Sequence, residues 1–375
     1  MAEARPRTGD PATEPSAIDL VARLLELARA RGASDLHVEP ARGAWGVRAR
    51  IDGRLHAVEA IEPALAQRAV ARIKVIAGLL TYRTDVPQDG RISAEHAPAG
   101  LDVRVATYPT IHGERVLLRF LAAGRRAMGL VDLGLSAPAR VGVERYVRHA
   151  AGALLVTGPA GSGKTTAMYA ILGALLESDR GRHWATIEDP VECELPGVTQ
   201  TEVDPARGLD FAAALRGLLR HDLDGLLVGE IRDEETARIA VRAALSGHAV
   251  LGTIHAGDGA GVFLRLVQMG VPGHMLAAAV RAALALRLAG RACLACGGAD
   301  PGCAACNGVG TAGRVLVDEW LETSPALAAA LVAPELSRNT LARAIGSDHR
   351  GLAERARELA DEGAIGSREL ARLIG

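Results

Sequence analysis

Apolar residues recur at helical spacing near the start of the chain and then give way to alternation typical of strands. Helices are predicted at Ala17–Arg31 and Gln67–Leu80. Strands are predicted at Gly46–Ile51, Leu101–Ala106 and Arg115–Leu121. Mixed helices and strands of this kind predict a small α+β domain in the first third of the chain.

Turn-forming residues separate these elements. Asp52-Gly53 is a hairpin signal between two strand-like runs. Pro87–Arg91, with the sequence PQDGR, is predicted to be a loop. Residues 1–16 are rich in Pro, Glu, Arg and Thr, which predicts a disordered tail.

From Ala139 onward, short apolar runs alternate with helical patterns, which is typical of a parallel sheet in an α/β domain. Helices are predicted at Phe211–Arg220 and Glu234–Leu245. Each predicted strand ends in polar or glycine-rich sequence: Ala153–Thr157 before Gly158, Trp184–Ile187 before Glu188, Gly225–Gly229 before Glu230, and Ala249–Ile254 before His255. Because ligands bind at the carboxyl ends of parallel strands, these groups are expected to converge on one site.

The strand Ala153–Thr157 leads into the loop GPAGSGKT, which carries the complete P-loop pattern. Glycines turn backbone N–H groups toward an anion, and the helix N-terminus adds positive potential. Lys164 is predicted to reach the β- and γ-phosphates of a nucleotide, and Thr165 to contact Mg²⁺. An ordinary glycine-rich turn is disfavoured because strand, loop and helix all agree. The predicted nucleotide-binding residues of this segment are Gly158, Pro159, Ala160, Gly161, Ser162, Gly163, Lys164, Thr165 and Thr166.

Four of the five cysteines form two CxxC pairs separated by six residues. Two such arms can close a tetrahedral Zn²⁺ site, so the spacing predicts one structural zinc. Its predicted ligands are Cys293, Cys296, Cys303 and Cys306. Cys193 stands apart and is predicted to be a small buried residue.

Composition excludes some classes of function. The net charge is −1 and aromatic residues are only 3% of the chain, so a nucleic-acid-binding surface is not expected. Neither a secretory signal nor a run long and apolar enough for a membrane span is evident, which predicts a cytoplasmic protein. Lysine occurs only at Lys74 and Lys164, although the chain has 43 Lys and Arg residues.

Ordered motifs across nearly the whole chain resemble the secretion-superfamily ATPases of type II secretion and type IV pilus assembly. Besides the P-loop they are SDLHVEP at 34–40, RARIDGRL at 48–55, RIKVIAGL at 72–79, PQDGR at 87–91, RVATYPTIHGERVLLR at 104–119, TIEDPVE at 186–192, LVGEIRDEETA at 227–237 and SGHAVLGTIH at 246–255. The resemblance implies a hexameric motor. It also implies that the nucleotide lies in a cleft between the two domains and is shared with a neighbouring subunit.

The fold that this resemblance implies is a RecA-like P-loop α/β domain preceded by a small PAS-like α+β domain, with a tetracysteine zinc subdomain and a helical tail. The expected divisions are a tail at 1–16, the PAS-like domain at 17–123, a linker at 124–138, the RecA-like core at 139–292, the zinc subdomain at 293–314 and the helical subdomain at 315–375.

The resemblance also implies roles for acidic residues. TIEDPVE matches the family's Asp box, and within it Glu192 matches the catalytic glutamate. Glu188 and Asp189 are expected nearby, helping to hold Mg²⁺ through water. Glu230 matches an atypical Walker B position and is expected to act on Mg²⁺ through water. The alternatives are a solvated acidic loop for the Asp box and a salt bridge with Arg232 for Glu230.

Two histidines and two arginines complete the implied site. His248 and His255 lie in the family's His box, near the γ-phosphate or the subunit boundary. Arg91 and Arg104 lie in motifs whose arginines reach the phosphates on domain closure, some from a neighbouring subunit. Surface ion pairs are the alternative for these arginines.

The function implied is a motor that hydrolyses ATP with Mg²⁺, carries Zn²⁺, and drives pilus or pseudopilus assembly or type II secretion. It implies a homohexamer, peripheral at the inner membrane, that reaches the membrane only through an inner-membrane platform protein and needs no nucleic acid. Pilus retraction is an alternative, although retraction ATPases generally lack the tetracysteine site. A nucleic-acid translocase and a non-hydrolysing scaffold are further alternatives, the latter opposed by the intact Lys164, Thr165, Glu192 and Glu230.

The chain departs from the family pattern at specific positions. Ala256-Gly257 replaces the usual Thr-Asn after the His box, Leu223 replaces a proline, and Asp85 stands where many members have a basic residue. No segment matches the extra N-terminal docking domain of many members, and residues 1–16 are not expected to replace it. The inter-subunit contacts and the route to the membrane are therefore left open by the sequence.

Overall fold

The computed structural model describes residues 16–93, 95–99, 101–122, 128–298, 300, 302–306 and 308–374. The chain divides into two compact units, Met1–Gly124 and Arg125–Gly375. The predicted disordered tail lies outside the described residues, except for Ser16. The Ser16 hydroxyl accepts hydrogen bonds from the N–H groups of Ile18 and Asp19 and so caps the first helix.

Within its described residues, the first unit is a six-stranded antiparallel sheet with two helices on one face. Its strand order is β3-β2-β1-β6-β5-β4. Apolar side chains of both helices and of alternating strand positions form one core. The elements are α1 (Ala17–Ala30), β1 (Asp35–Pro40), β2 (Trp45–Ile51), β3 (Arg54–Ile61), α2 (Pro63–Ile76), β4 (Gln88–Ile92), β5 (Leu101–Thr110) and β6 (Gly113–Ala122).

Local chemistry moves two predicted boundaries in this unit. The helix predicted from Gln67 begins at Pro63, because the Glu62 carboxylate caps it and proline suits the first helical position. The predicted PQDGR loop is wrong: Gln88–Ile92 is an edge strand paired with β5. Its backbone donors and acceptors are satisfied by a partner strand that is distant in sequence, which turn-forming residues alone do not reveal.

The second unit is a seven-stranded sheet in the order β13-β12-β7-β11-β10-β8-β9. The α/β fold class predicted from the sequence is confirmed. Its elements are α3 (Ala137–His149), β7 (Gly152–Thr157), α4 (Lys164–Ser178), β8 (Trp184–Glu188), β9 (Val198–Glu202), α5 (Phe211–Leu218), β10 (Gly225–Ile231), α6 (Glu234–Leu245), β11 (Ala249–Ile254), α7 (Gly259–Gln268), α8 (Gly273–Ala279), β12 (Val280–Ala292), β13 (Thr311–Glu322), α9 (Pro325–Val332), α10 (Arg338–Ile345), α11 (Leu352–Asp361) and α12 (Ser367–Ile374).

Neighbouring strands run parallel from β12 to β9, and only β13 is antiparallel to its neighbour. β7, β8 and β11 are buried along their whole length. Full burial is typical of parallel strands covered by helices on both faces, and separate apolar clusters occupy the two faces here. The carboxyl ends of the central strands therefore meet at one edge of the sheet.

Two divisions expected from the sequence differ from these elements. The predicted linker, 124–138, contains a 3₁₀ turn at Leu130–Leu133 that packs on the second unit's core. The boundary predicted between 314 and 315 falls inside β13, which pairs with β12. Leu316 and Val317 bury into apolar clusters on opposite faces of the sheet, so this segment is a strand and not the start of a helical subdomain. None of the helices in the described ranges combines the length and apolar character that a membrane-spanning helix needs.

Candidate functional site

The P-loop connects β7 to α4 through glycines in left-handed conformations. The φ angles of Gly158, Gly161 and Gly163 are 150°, 72° and 91°. A Cβ at Gly158 would lie 2.4 Å from the carbonyl oxygen of Leu286 on the adjacent strand, so only glycine fits there.

The start of α4 offers hydrogen-bond donors to an anion. Gly163 precedes the helix without a side-chain cap, which leaves the first N–H groups of α4 available. The Ser162 hydroxyl is buried and has no hydrogen-bond partner among the described residues. Available amides and an unpaired buried hydroxyl fit the phosphate oxygens of a nucleotide.

Lys164 lies folded against its own loop. Its Nζ donates to the carbonyl oxygens of Gly158 at 2.9 Å and Pro159 at 3.0 Å. Burial lowers the pKa of Lys164, repulsion from Arg287 adds to this, and attraction to Glu230 opposes it. A phosphate oxygen is a charged acceptor and a stronger partner for this ammonium than a carbonyl.

A cavity of about 260 Å³ lies at the carboxyl edge of the sheet. It is bounded by the P-loop and by the segments that end β8, β10 and β11. Strands that are far apart in sequence thus bring predicted site residues together. Those that line the cavity are Ala160, Gly161, Lys164, Thr165, Glu188, Asp189, Glu192, Glu230 and His255.

Glu230 lies at an irregularity in β10. The register of β10 against β11 shifts between Val228 and Ile231, as in a β-bulge. A Cβ on Gly229 would lie 2.9 Å from the carbonyl oxygen of Ile187, so glycine allows the two strands to approach closely. The bulge turns Glu230 toward the cavity, whereas the sequence predicted a strand that simply ended before it.

The Glu230 carboxylate is held between a histidine and an arginine. Its carboxylate lies 2.8 Å from His255 Nε2 and 2.6 Å from Arg232 Nη2. Arg232 also reaches Asp189, with Nη1 3.4 Å from Oδ2. The hydrogen bond to Glu230 raises the pKa of Arg232. The salt bridge proposed as an alternative for Glu230 is therefore present, and it coexists with a position on the cavity wall.

Glu188 is a buried anchor, with only 4% of its surface exposed. It accepts hydrogen bonds from Tyr169, from Thr186 at 2.6 Å and from Gln200 at 3.2 Å. Burial raises the pKa of Tyr169, and the hydrogen bond to Glu188 raises it further, so the phenol remains a donor. Tyr169 and Gln200 were not predicted, because neither belongs to a chemistry-bearing motif.

The segment after His255 is held through its backbone. Thr157 donates to the carbonyl of Ala256 at 3.0 Å and accepts from its N–H at 2.8 Å. The Arg287 guanidinium donates to the carbonyl of Gly257. Ala256 and Gly257, which depart from the family pattern, are therefore held through their backbone groups by Thr157 and Arg287. Arg287 was missed because it lies in the middle of an otherwise apolar strand pattern.

Three predicted site residues lie elsewhere. His248 precedes the first residue of β11, so the strand separates it from His255 by about 20 Å at 3.3 Å per residue. It lines a different cavity with Arg182 and Asp224, and is not near the nucleotide cavity of its own chain. Arg91 and Arg104 belong to the first unit, on paired positions of β4 and β5.

The connection from β12 to β13 carries the tetracysteine cluster. The four sulfur atoms lie within 4.8 Å of one another, with Cys293 to Cys303 at 3.9 Å and Cys296 to Cys306 at 3.7 Å. Sulfur ligands about 2.3 Å from a tetrahedral Zn²⁺ lie about 3.8 Å apart, so the geometry fits zinc.

Backbone N–H groups support the sulfur cluster. Gly310 N–H lies 3.2 Å from the Cys306 sulfur. Amides of Asp300 and Gly298 lower the pKa of the Cys296 thiol to about 7. These N–H groups favour the thiolate at Cys306 and Cys296. At Cys303 the amide of Cys306 acts in the same direction, but burial and the hydrogen bond with Cys296 raise the pKa of the thiol to about 11. Cys193, predicted to be buried, is instead half-buried beside the Asp box.

Comparisons with known proteins agree with the resemblance seen in the sequence. The chain is 42% identical over 291 residues to the putative type II secretion system protein E of Escherichia coli K12, covering 77% of this chain and 59% of that protein. It is 44% identical over 259 residues to the type IV pilus assembly ATPase PilB of Pseudomonas aeruginosa, covering 69% of this chain and 45% of that protein. The chain thus spans about half the length of these relatives.

Solved structures share the fold. The Legionella pneumophila ATPase DotB has a TM-score of 0.72 with 21% identity, over 97% of each chain. The family model described as type II/IV secretion system protein matches residues 12–372 of the 375. The resemblance to secretion and pilus-assembly ATPases is confirmed, and this chain belongs to the type II/IV secretion system protein family.

Proposed function

We propose that this chain is the ATP-hydrolysing motor subunit of a type II secretion or pilus-assembly system. The cavity at the carboxyl edge of the sheet carries this proposal. It is lined by Lys164 of the P-loop and by three groups that follow separate strands, Glu192, Glu230 and His255. A phosphate-binding loop facing carboxylates is the arrangement that nucleoside triphosphate hydrolysis requires.

Each side chain then has a defined task. Lys164 and the P-loop amides bind the β- and γ-phosphates, and Glu192 orients or deprotonates the attacking water. Glu230 is held by His255 and Arg232, which fixes its carboxylate on the cavity wall. Mg²⁺ bound beside Thr165 would neutralise charge on the phosphates as the terminal bond breaks.

The tetracysteine cluster supports an assembly or secretion motor over a retraction motor. Its sulfur distances suit one structural Zn²⁺ held by Cys293, Cys296, Cys303 and Cys306. Among the proteins that the sequence motifs resemble, this feature is typical of assembly-type members. The closed site supplies local folding energy and takes no part in hydrolysis.

The quaternary arrangement belongs to the same proposal. The motor works as a homohexamer in the cytoplasm, peripheral at the inner membrane, and reaches the membrane through a platform protein. Arg91 and Arg104 complete a neighbour's site, and His248 faces a subunit boundary. The net charge of −1 and the scarcity of aromatic residues support a protein partner over nucleic acid.

Two variants test the proposed activity on the purified full chain. Lys164→Ala is expected to abolish Mg²⁺-dependent ATP hydrolysis by removing the charge at the phosphates. Glu192→Gln is expected to keep nucleotide binding but to slow hydrolysis by about 10²-fold or more. Glu194→Gln, an exposed carboxylate of the same loop, is the matched control and should hydrolyse normally. A folded Lys164→Ala protein with undiminished turnover would refute the site.

A further inference from the structure

The loop that carries Glu192 has no helix or strand of its own. Residues 189–197 join two parallel strands, β8 and β9, which are paired so that Thr186 faces Gln200 and Glu188 faces Glu202. Parallel strands are ordinarily joined by a dozen or more residues, often a helix. A shorter irregular connection keeps one conformation only if side chains satisfy its backbone groups.

Gln200, on β9, supplies two such hydrogen bonds to the loop backbone and a third to a side chain. Its Oε1 accepts from the N–H of Leu195 at 2.6 Å, and its Nε2 donates to the carbonyl of Cys193 at 3.0 Å. The same Nε2 donates to Glu188 Oε1 at 3.2 Å. Both ends of one carboxamide therefore hold the segment that directly follows Glu192.

Other side chains hold the segment before and at Glu192. The N–H of Val191 donates to Glu202 Oε2 at 3.0 Å. The N–H of Glu192 lies 3.4 Å from the Tyr169 hydroxyl, which in turn donates to Glu188. Glu188 thus joins Gln200 on one side and Tyr169 on the other. The backbone of Glu192 is bracketed by contacts, while its side chain lines the cavity.

We propose that Gln200 is a positioning residue that holds the 189–195 loop so that Glu192 faces the nucleotide phosphates. This inference rests on the proposed function, and no motif of the sequence assigns a role to Gln200. Gln200 does not touch the reacting atoms, since it lines no part of the cavity. It acts by satisfying one donor and one acceptor of the loop, and both ends of its carboxamide are needed.

The isosteric variant Gln200→Glu tests this requirement. A carboxylate keeps the acceptor for Leu195 but loses the donor to Cys193, and it places a like charge beside Glu188.

The expected result is a fall in kcat and not in nucleotide affinity. At about pH 8, Gln200→Glu should hydrolyse ATP at least about tenfold more slowly than the wild-type chain, with nucleotide affinity within about threefold. Gln200→Met, which fills the space without hydrogen bonds, should be comparably slow. Thr199→Val, on the same strand but the opposite face, is the control and should keep wild-type kcat.

A double-mutant cycle separates positioning from general damage. In the Glu192→Gln background, adding Gln200→Met should lower kcat by less than about twofold, because a misplaced glutamine costs little. Additive losses would overturn the proposal, and so would a kcat for Gln200→Glu equal to that of the wild-type chain.

Hydrogen exchange judges the loop independently of hydrolysis. Gln200→Met should speed hydrogen exchange of the backbone amides in residues 189–195, while the amides of the flanking strands β8 and β9 stay protected. Unchanged exchange would overturn the proposal. Absence of ATP hydrolysis by the wild-type chain would instead overturn the proposed function, and the exchange result would still decide whether Gln200 orders the loop.

Discussion

The two lysines of this chain each place an ammonium group among several oxygen atoms, one lysine in each unit. Lys74 is buried in the first unit, where its Nζ contacts Glu114 at 2.8 Å and the carbonyl of Arg83 at 2.7 Å. Lys164 contacts two carbonyls of the P-loop. A compact ammonium with three donors fits such convergent oxygens better than a planar guanidinium does. The rarity of lysine in the sequence therefore marks positions where arginine geometry fails.

His37, on β1, provides a residue-scale prediction about pH. It is 6% exposed, and its Nδ1 lies 2.9 Å from Arg115 Nη2, so the ring accepts a hydrogen bond and must be neutral. Burial, with Arg115 adding repulsion, lowers the pKa of His37. Below about pH 6.5, the imidazole of His37 is protonated in the unfolded chain but stays neutral in the folded chain. His37 therefore lowers the free energy of unfolding as the pH falls below that value.

The test replaces His37 by glutamine, which keeps an acceptor but does not titrate. The melting temperature of the wild-type chain should fall between about pH 7 and pH 5 more steeply than that of His37→Gln. Thermal melts at several pH values measure both slopes. Equal slopes in the two chains would show that His37 does not contribute to the acid sensitivity.

At the scale of elements, the Lys74–Glu114 pair ties α2 to β6. Both side chains are almost fully buried, and the same ammonium holds the loop that leads to β4 through Arg83. Glu114→Gln is expected to lower the free energy of unfolding of the first unit by about 3–5 kcal/mol, because it leaves Lys74 buried without a counter-charge.

Replacing both partners should cost less than breaking the pair. Lys74→Met with Glu114→Leu removes both charges, so no ion is left desolvated. Urea denaturation, followed by hydrogen exchange within residues 17–122, measures the free energy of unfolding of the first unit in the wild-type chain, in Glu114→Gln and in the double variant. Asp85→Asn removes only an exposed ion pair with Arg83 and is the control. A double variant less stable than Glu114→Gln would contradict this account.

The connection between β12 and β13, which carries the tetracysteine cluster, gives a second prediction at the scale of elements. Elemental analysis of the purified protein is expected to find about one Zn²⁺ per chain. Cys303→Ser should release it and speed hydrogen exchange near residues 290–320, because the metal supplies local folding energy. Cys193→Ser, outside the cluster, should retain the metal. Zinc content unaffected by Cys303→Ser would exclude the tetracysteine cluster as the site.

At the scale of the whole molecule, the residues predicted to act in hydrolysis come from both units. The P-loop belongs to the second unit, whereas Arg91 and Arg104 belong to the first. Arg91 lies 2.5 Å from Asp102 and its side chain is 70% exposed, so its guanidinium is available to a further partner. If a neighbouring subunit supplies these arginines, hydrolysis requires a ring, and specific activity should rise with protein concentration.

Mixing two inactive variants tests a shared site. Arg104→Ala chains keep the P-loop, and Lys164→Ala chains keep the arginine, so some interfaces in a mixed ring hold both. ATPase activity of the mixture should exceed the sum of the separate preparations under conditions that allow subunit exchange. A fully active, monodisperse monomer at low concentration would contradict the proposed hexameric motor.

The sequence alone determined the features whose chemistry is local. The P-loop and the two CxxC pairs are each defined by residue spacing within a short segment. Local sequence is therefore enough to identify them. The helix Glu234–Leu245 and the strand Ala249–Ile254 were predicted with their observed bounds, because an apolar stripe and a fully apolar run are strong local patterns. Convergence at the carboxyl edge followed from the alternation of strands and helices.

Tertiary structure decided whatever depends on partners distant in sequence. The PQDGR segment became a strand because β5 satisfies its backbone, and residues 311–322 joined the sheet because β12 does the same. Tyr169, Gln200 and Arg287 support the site through hydrogen bonds to partners on other strands and loops. Hydrogen bonds of this kind leave no periodicity in the sequence. They form only after burial removes water as the competing partner, and for that reason the folded sheet reveals them and the sequence does not.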